Sequence, residues 1–261
     1  HKKPPLLTLL DVLSAISFTA ALALILFFTP TELTMGPVQK VFYFHVASAW
    51  AGMLSFILAA AGGIGYLATR KTRWDWLSLS AVEVGLVFGL IAILSGMIWA
   101  RPIWNTWWVW DPRLTTTAIM EIIYLVYFLL RSSLDTPETK ARLGAVYVIV
   151  SVITVPLTFL SIRLFRTIHP VVIAGGGGSV FKMTPRMLLA FGISLVVFTL
   201  ILADFVCHRF RLARLNSQED EEVINMPANT LTEMIMGLGV ITGILLLYAF
   251  SLALRYRRTK R

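Results

Sequence analysis

Residues 77–99, LSLSAVEVGLVFGLIAILSGMIW, carry a single ionisable side chain, Glu83, in twenty-three positions. A helix rises 1.5 Å per residue, so about 20 such residues cross the roughly 30 Å of bilayer hydrocarbon. A strand is a poor alternative. The run is too long and continuous for a barrel strand, and an open sheet edge is not tolerated in lipid. Six further segments have the same character: 12–29, 41–68, 115–131, 143–163, 187–206 and 235–254. Composition agrees with them. Of 261 residues 57% are hydrophobic and only 14% charged, against about 25% charged in a soluble domain, and the mean hydropathy is +0.77. The expectation is an all-α integral membrane protein, with a six-helix transmembrane core and a seventh, C-terminal helix. The first apolar run lacks a trustworthy small-residue cleavage site and is read as a retained span.

The polar, acidic stretch NSQEDEEVINMPANTLTE, 216–233, reads as a linker. It divides a core, 1–215, from an appended helix with a basic tail, 234–261. Pro156 is expected to kink the fifth span. Gly62, Gly63, Gly65, Gly85 and Gly89 would let helices approach closely, although glycine is also simply common in membrane helices.

The net charge is +9. The basic residues lie mostly between and after the apolar runs, where anionic headgroups explain them better than a nucleic acid does. Alternating spans put Lys2, Lys3, Arg70, Lys71, Arg73, Arg131, Lys140, Arg142, Arg209, Arg211 and Arg214 on the N-terminal face. Lys40, Arg101, Arg113, Arg163, Arg166, Lys182 and Arg186 fall on the other. The positive-inside rule then makes the N-terminus cytoplasmic. The tail RYRRTKR opposes this, since a seventh crossing would carry its five basic residues to the outer face.

The outer face collects the unusual residues. His45 stands at the edge of the second span and His169 just past the fifth. Either alone reads most simply as an interfacial residue. Together they could supply both axial positions of a haem iron; zinc is less attractive there for want of thiolates and carboxylates. Between them lies RPIWNTWWVWDPRLTT, 101–116, with Trp104, Trp107, Trp108 and Trp110; together with Trp99 just before it, five tryptophans fall within twelve residues. An aromatic belt is one reading. A platform for a planar ligand or a docking face is the favoured one, because a belt spreads its aromatics over many helix ends. If the segment is helical, Trp104, Trp107 and Trp108 share a face. Asp111 can accept hydrogen bonds from backbone or indole N–H groups or pair with Arg113, and Pro112 stiffens the turn into the fourth span. Arg101, Arg113, Arg163, Arg166, Lys182 and Arg186 are candidates for acidic ligand groups or for lipid headgroups. Glu83 and Glu121, at membrane depth, should face the bundle interior: Glu83 to snorkel or stay protonated, Glu121 to hydrogen-bond across helices. The single cysteine, Cys207, excludes CxxCH haem attachment and dithiol chemistry.

The segment WNTWWVWDPRLTT, 104–116, resembles the tryptophan-rich signature of haem-handling membrane proteins of cytochrome c maturation. VFYFHVASAW, 41–50, and LFRTIHPVV, 164–172, resemble the two histidine segments of the haem exporter protein C family. The likeness covers residues 10–207. It implies six helices holding haem b non-covalently at the outer surface of the inner membrane, with His45 and His169 as the iron ligands. It also implies that Trp104 to Asp111, including Trp107, Trp108 and Trp110, contact the haem and a periplasmic haem chaperone. Arg113 would be a neighbour of the haem propionates. In the family, the chaperone takes the haem onto its own histidine, and a two-subunit ABC transporter and a small one-helix protein complete the assembly. The appended helix resembles that small subunit, fused here. Asn105 departs from the family's expected glycine, and Pro112 is shared with a cytochrome c synthetase branch, whose motif reads WDPKE. Only two histidines on the relevant face favour the exporter-type branch.

The resulting expectation is a haem carrier and presenter more than an enzyme. Its rivals are a synthetase-type haem attachment protein, a small-molecule transporter with Glu83 or Glu121 in its path, and a purely structural membrane subunit.

Overall fold

The computed structural model describes residues 3–165, 169 and 183–219. These residues form α1 (Pro5–Ala23), α2 (Val41–Thr69), α3 (Thr72–Trp104), α4 (Pro112–Ser132), α5 (Pro137–Ser151), α6 (Thr154–Leu164) and α7 (Pro185–Glu219). Among them there is no sheet, only an isolated bridge between Glu32 and Gly36. Six helical stretches are long and apolar enough to cross a membrane, α5 and α6 together making one of them. The protein is a multi-pass, all-α membrane protein. The expected seventh helix, its tail and the linker from residue 220 onward lie outside the described residues.

Every span is longer than its apolar run. α3 has 33 residues, or about 50 Å of helix, because hydropathy marks only the lipid-embedded part. Charged ends continue the helix: Arg73 and Asp75 at the start of α3, Arg209, Arg211 and Arg214 toward the end of α7. α1, α4, α5 and α7 each begin on a proline, whose missing N–H costs nothing at that position and whose φ suits a helix. The fifth span breaks at Val152–Ile153, between α5 and α6. Pro156 offers no N–H to the Val152 carbonyl, which instead accepts from Val155 N at 3.1 Å. The expected kink is therefore there, four residues ahead of the proline.

α2 and α3 form the centre of the bundle, joined by Arg70 and Lys71. Arg70 turns the chain in the left-handed region at φ 57°. A Cβ on Gly62 would lie 2.9 Å from the backbone nitrogen of Ser78, so the two helices touch there through backbone. Serine hydroxyls cross the same seam: Ser55 donates to Ala81 O at 2.7 Å and Ser78 to Ala59 O at 2.9 Å. Interhelical hydrogen bonds of this kind take over in lipid, where apolar burial gives little drive. α7 packs on α1, α2 and α3, while α5 lies against α2 and α4 against α5 and α6.

The ionisable groups at membrane depth have mostly found partners. Arg131 of α4 donates to both oxygens of Asp75 of α3, at 2.6 and 3.0 Å. Glu83 pairs with Arg209 of α7 at 2.5 Å, an ion pair between helices inside the bundle. Glu121 differs from expectation. It is buried, and its Oε1 has no hydrogen-bond partner among the described residues. Gly89 of α3 leaves the space that this carboxyl occupies.

Candidate functional site

At one end of the bundle, α2, α3 and the start of α4 meet His169. A cavity of about 70 Å³ there is bounded by His45, Trp104, Trp107, Trp108, Arg113 and His169, among others. Residues far apart in sequence are thus brought together at one end of the bundle.

His45 is the fifth residue of α2 and points at α3. Its Nδ1 lies 2.9 Å from Ala92 O and 3.4 Å from Ser95 Oγ. A carbonyl only accepts, so Nδ1 carries the proton in the neutral ring and Nε2 keeps its lone pair. This is the arrangement of a preoriented metal ligand. Room for the ring comes from Gly96, where a Cβ would stand 2.8 Å from His45 Cε1. The His45 and His169 rings have centroids 6.3 Å apart and planes inclined at 44°. Imidazole–metal bonds are about 2.0–2.1 Å; two imidazoles on opposite sides of one ion therefore hold their centroids roughly 6 Å apart.

The tryptophan segment is not helical beyond Trp104, contrary to the shared-face expectation for Trp104, Trp107 and Trp108. α3 ends there because Asn105 takes a left-handed conformation, φ 56° and ψ 23°, which asparagine and glycine tolerate best. That geometry accounts for asparagine where glycine was expected. Arg101 holds the turn, donating to Asn105 O at 2.5 Å and to Asn105 Oδ1 at 2.7 Å. The irregular chain that follows still brings Trp107 and Trp108 to the cavity beside Trp99 and Trp104. Trp99 and Trp104 meet edge to face, as do Trp108 and Trp110. Trp110 is 76% exposed and Trp107 54%. The aromatic cluster therefore has an inner part against the cavity and an outer part facing away from the bundle.

Asp111 caps α4, its Oδ1 accepting from Leu114 N at 2.9 Å, with Pro112 in the first helical position. One of the roles expected for it, accepting from backbone, is filled. Arg113 reaches across to α6: Nη1 donates to Thr158 O at 2.7 Å and the guanidinium lies 5.0 Å from the Phe159 ring centroid. Arg186 lies over Phe28, away from the cavity lining. Arg166 and Lys182 lie outside the described residues. Ala92, Ser95 and Gly96, which orient His45, were not singled out in the sequence. A glycine and a serine inside an apolar run give no signal of what they face.

The donors present fit a haem. Two imidazoles face each other at the right separation, and the indole N–H groups of Trp99 and Trp108 are buried without a hydrogen-bond partner among the described residues, free to meet an acceptor. The enclosed volume, about 70 Å³, is smaller than a porphyrin, so the cavity would hold only part of a haem. Cys207 lies on α7 beside His208 and takes no part.

A family model described as Heme exporter protein C matches residues 3–225. The Heme exporter protein C of Bradyrhizobium diazoefficiens is 32% identical over 178 residues, 67% of this chain and 68% of that protein. That of Rhodobacter capsulatus is 35% identical over 124 residues, 48% of this chain and 51% of its own length. For the Escherichia coli K12 protein the figures are 29% over 143 residues, 54% and 58%. The chain thus spans from about half to two thirds of the length of these relatives. On the strength of a match that runs from α1 past the end of α7, the chain belongs to the Heme exporter protein C family.

Proposed function

We propose that this protein holds haem b between His45 and His169 at the outer face of the inner membrane and passes it to a periplasmic haem chaperone during c-type cytochrome maturation. The observation that carries the reading is the facing pair of imidazoles, one of them already oriented by Ala92. His45 and His169 would hold the haem, which would supply an iron for their two imidazoles to bind and is suited to being carried more than to oxygen chemistry. His45 binds through Nε2 while the Ala92 carbonyl fixes its tautomer. His169 binds from the facing side. Trp104, Trp107 and Trp108 cover the flat ligand and exclude water, and Arg113 offers a positive charge to acidic ligand groups. Trp110, turned outward, is suited to contact the chaperone. The N-terminus is cytoplasmic in this reading, by the distribution of basic residues. Two ABC transporter subunits and a small one-helix protein, unless residues 234–261 serve as that subunit, are the accompanying partners.

Two variants test separate parts of this reading. Trp110→Ala is expected to keep the haem spectrum and slow transfer to the purified chaperone by about tenfold or more, as for an exposed aromatic anchor. Transfer at the wild-type rate would remove Trp110 from the docking face. Gly96→Ala pushes a methyl group into the His45 ring and is expected to weaken haem binding about tenfold to a hundredfold, the usual cost of disturbing a ligand's supporting contacts. Haem titration followed in the visible spectrum measures it, and unchanged affinity would mean that His45 does not need its present position.

A further inference from the structure

At the opposite end of the bundle, α1 and α7 bring Asp11, Asp204 and His208 together. Their ligand atoms all lie within 4.8 Å of one another. His208 Nε2 is 2.6 Å from Asp11 Oδ1 and 3.5 Å from Asp204 Oδ1. The Lys3 ammonium pairs with the other oxygen of Asp11. Asp204 and His208, four residues apart, share one face of α7, and Asp11 faces them from α1.

A second observation separates this group from an ordinary surface cluster. The Asp204 side chain is only 7% exposed, and its Oδ1 has no hydrogen-bond donor among the described residues. The Ser14 hydroxyl, one turn beyond Asp11 on the same face of α1, is also buried, lies beside Asp204 and makes no well-formed hydrogen bond among the described residues. Asp11, Ser14 and Asp204 line part of a cavity of about 500 Å³ whose other walls are apolar except for Ser48 and Ser95. A buried carboxylate with an unsatisfied oxygen is costly, and two carboxylates side by side compound the cost. Lys3 and His208 both lie against Asp11, whereas among the described residues Asp204 has only the more distant His208, at 3.5 Å.

We propose that Asp11, Asp204 and His208 bind a divalent first-row transition metal ion and so tie α1 to α7. One imidazole nitrogen with carboxylate oxygens suits the borderline ions Zn²⁺, Fe²⁺ and Mn²⁺, whereas Mg²⁺ and Ca²⁺ prefer oxygen alone. The ion displaces Lys3 from Asp11 and requires His208 to be neutral. It satisfies the orphaned oxygen of Asp204 and removes the repulsion between the two carboxylates.

Zn²⁺ alone serves as the probe, with the full chain purified in detergent after chelator treatment. The background is H45A/H169A, so that the other histidine pair cannot contribute and the result is independent of the haem reading. One equivalent of Zn²⁺ is expected by calorimetry and by elemental analysis. His208→Gln, at a half-exposed position that tolerates change, and Asp204→Asn are each expected to lower the affinity at least tenfold. Lys3→Ala is expected to raise it several-fold, because a competing cation is gone. Absence of stoichiometric Zn²⁺, or an affinity unmoved by His208→Gln, overturns the proposal and leaves the group as a charge network between two helices. A drop in affinity in Lys3→Ala overturns the competitor role and with it the proposed geometry.

Discussion

Purified H45A/H169A protein is expected to carry no low-spin haem. Wild-type protein loaded with haem should show the visible bands of an iron with two nitrogen ligands, and these should vanish in the double variant. The single variants discriminate further. His45→Ala removes the ligand whose tautomer is fixed by Ala92 O at 2.9 Å; a high-spin spectrum should result, and imidazole added to the buffer should restore the low-spin one by filling the space. His169→Ala should behave alike, since in the proposed reading each ring would supply one ligand to the iron. Retention of the full low-spin spectrum in the double variant would end the assignment of both ligands. The tryptophan cluster would then be left to explain haem retention by packing alone, which does not set spin state.

A second large effect belongs to stability. Arg131→Ala leaves Asp75, whose side chain is 9% exposed, without its bidentate partner. Arg131 also donates to Tyr127 Oη at 3.2 Å and to Lys140 O at 3.3 Å, so one substitution strips a network that joins α3, α4 and α5. Removing one member of a buried ion pair costs about 3–5 kcal/mol, mostly from the charge left behind. A large fall in the thermal midpoint in detergent is the expected result. Asp75→Asn combined with Arg131→Met should recover much of the loss, because no unpaired charge remains. If the double variant is as unstable as Arg131→Ala, the network acts through packing and hydrogen bonds and not through charge.

The six crossings were legible because lipid imposes a single test, apolar length, that a sequence meets or fails locally. Helix ends were less so. Hydropathy stops at the headgroups, whereas α3 and α7 continue with charged residues that find partners across the bundle, as Asp75 and Arg209 do. In the candidate site, the types of residue were readable and their arrangement was not. The spacing of Trp104, Trp107 and Trp108 matches a helical face, yet Asn105 ends the helix between the first and second of them. The left-handed turn is a property of one residue held by Arg101, and periodicity cannot register it. Likewise Gly96 and Gly89 matter for the side chains they admit, His45 and Glu121, which lie on other helices. Only a folded bundle identifies those neighbours.

The packing of α1 has a consequence for how the chain assembles. This first span buries few residues and rests mainly on α7, the last of the six. Chains are made from the N-terminus at about 5–20 residues per second, so α1 enters the bilayer well before its main support exists. The central α2–α3 hairpin can form at once from adjacent segments. α1 has to wait, lipid-solvated, until residues 185–219 are inserted, and the bundle closes on its first and last spans together. A ribosome that stalls after α6 would therefore release a chain with a formed centre and a loose first helix. Among the described helices, α7 is thus the one that holds the first span in place.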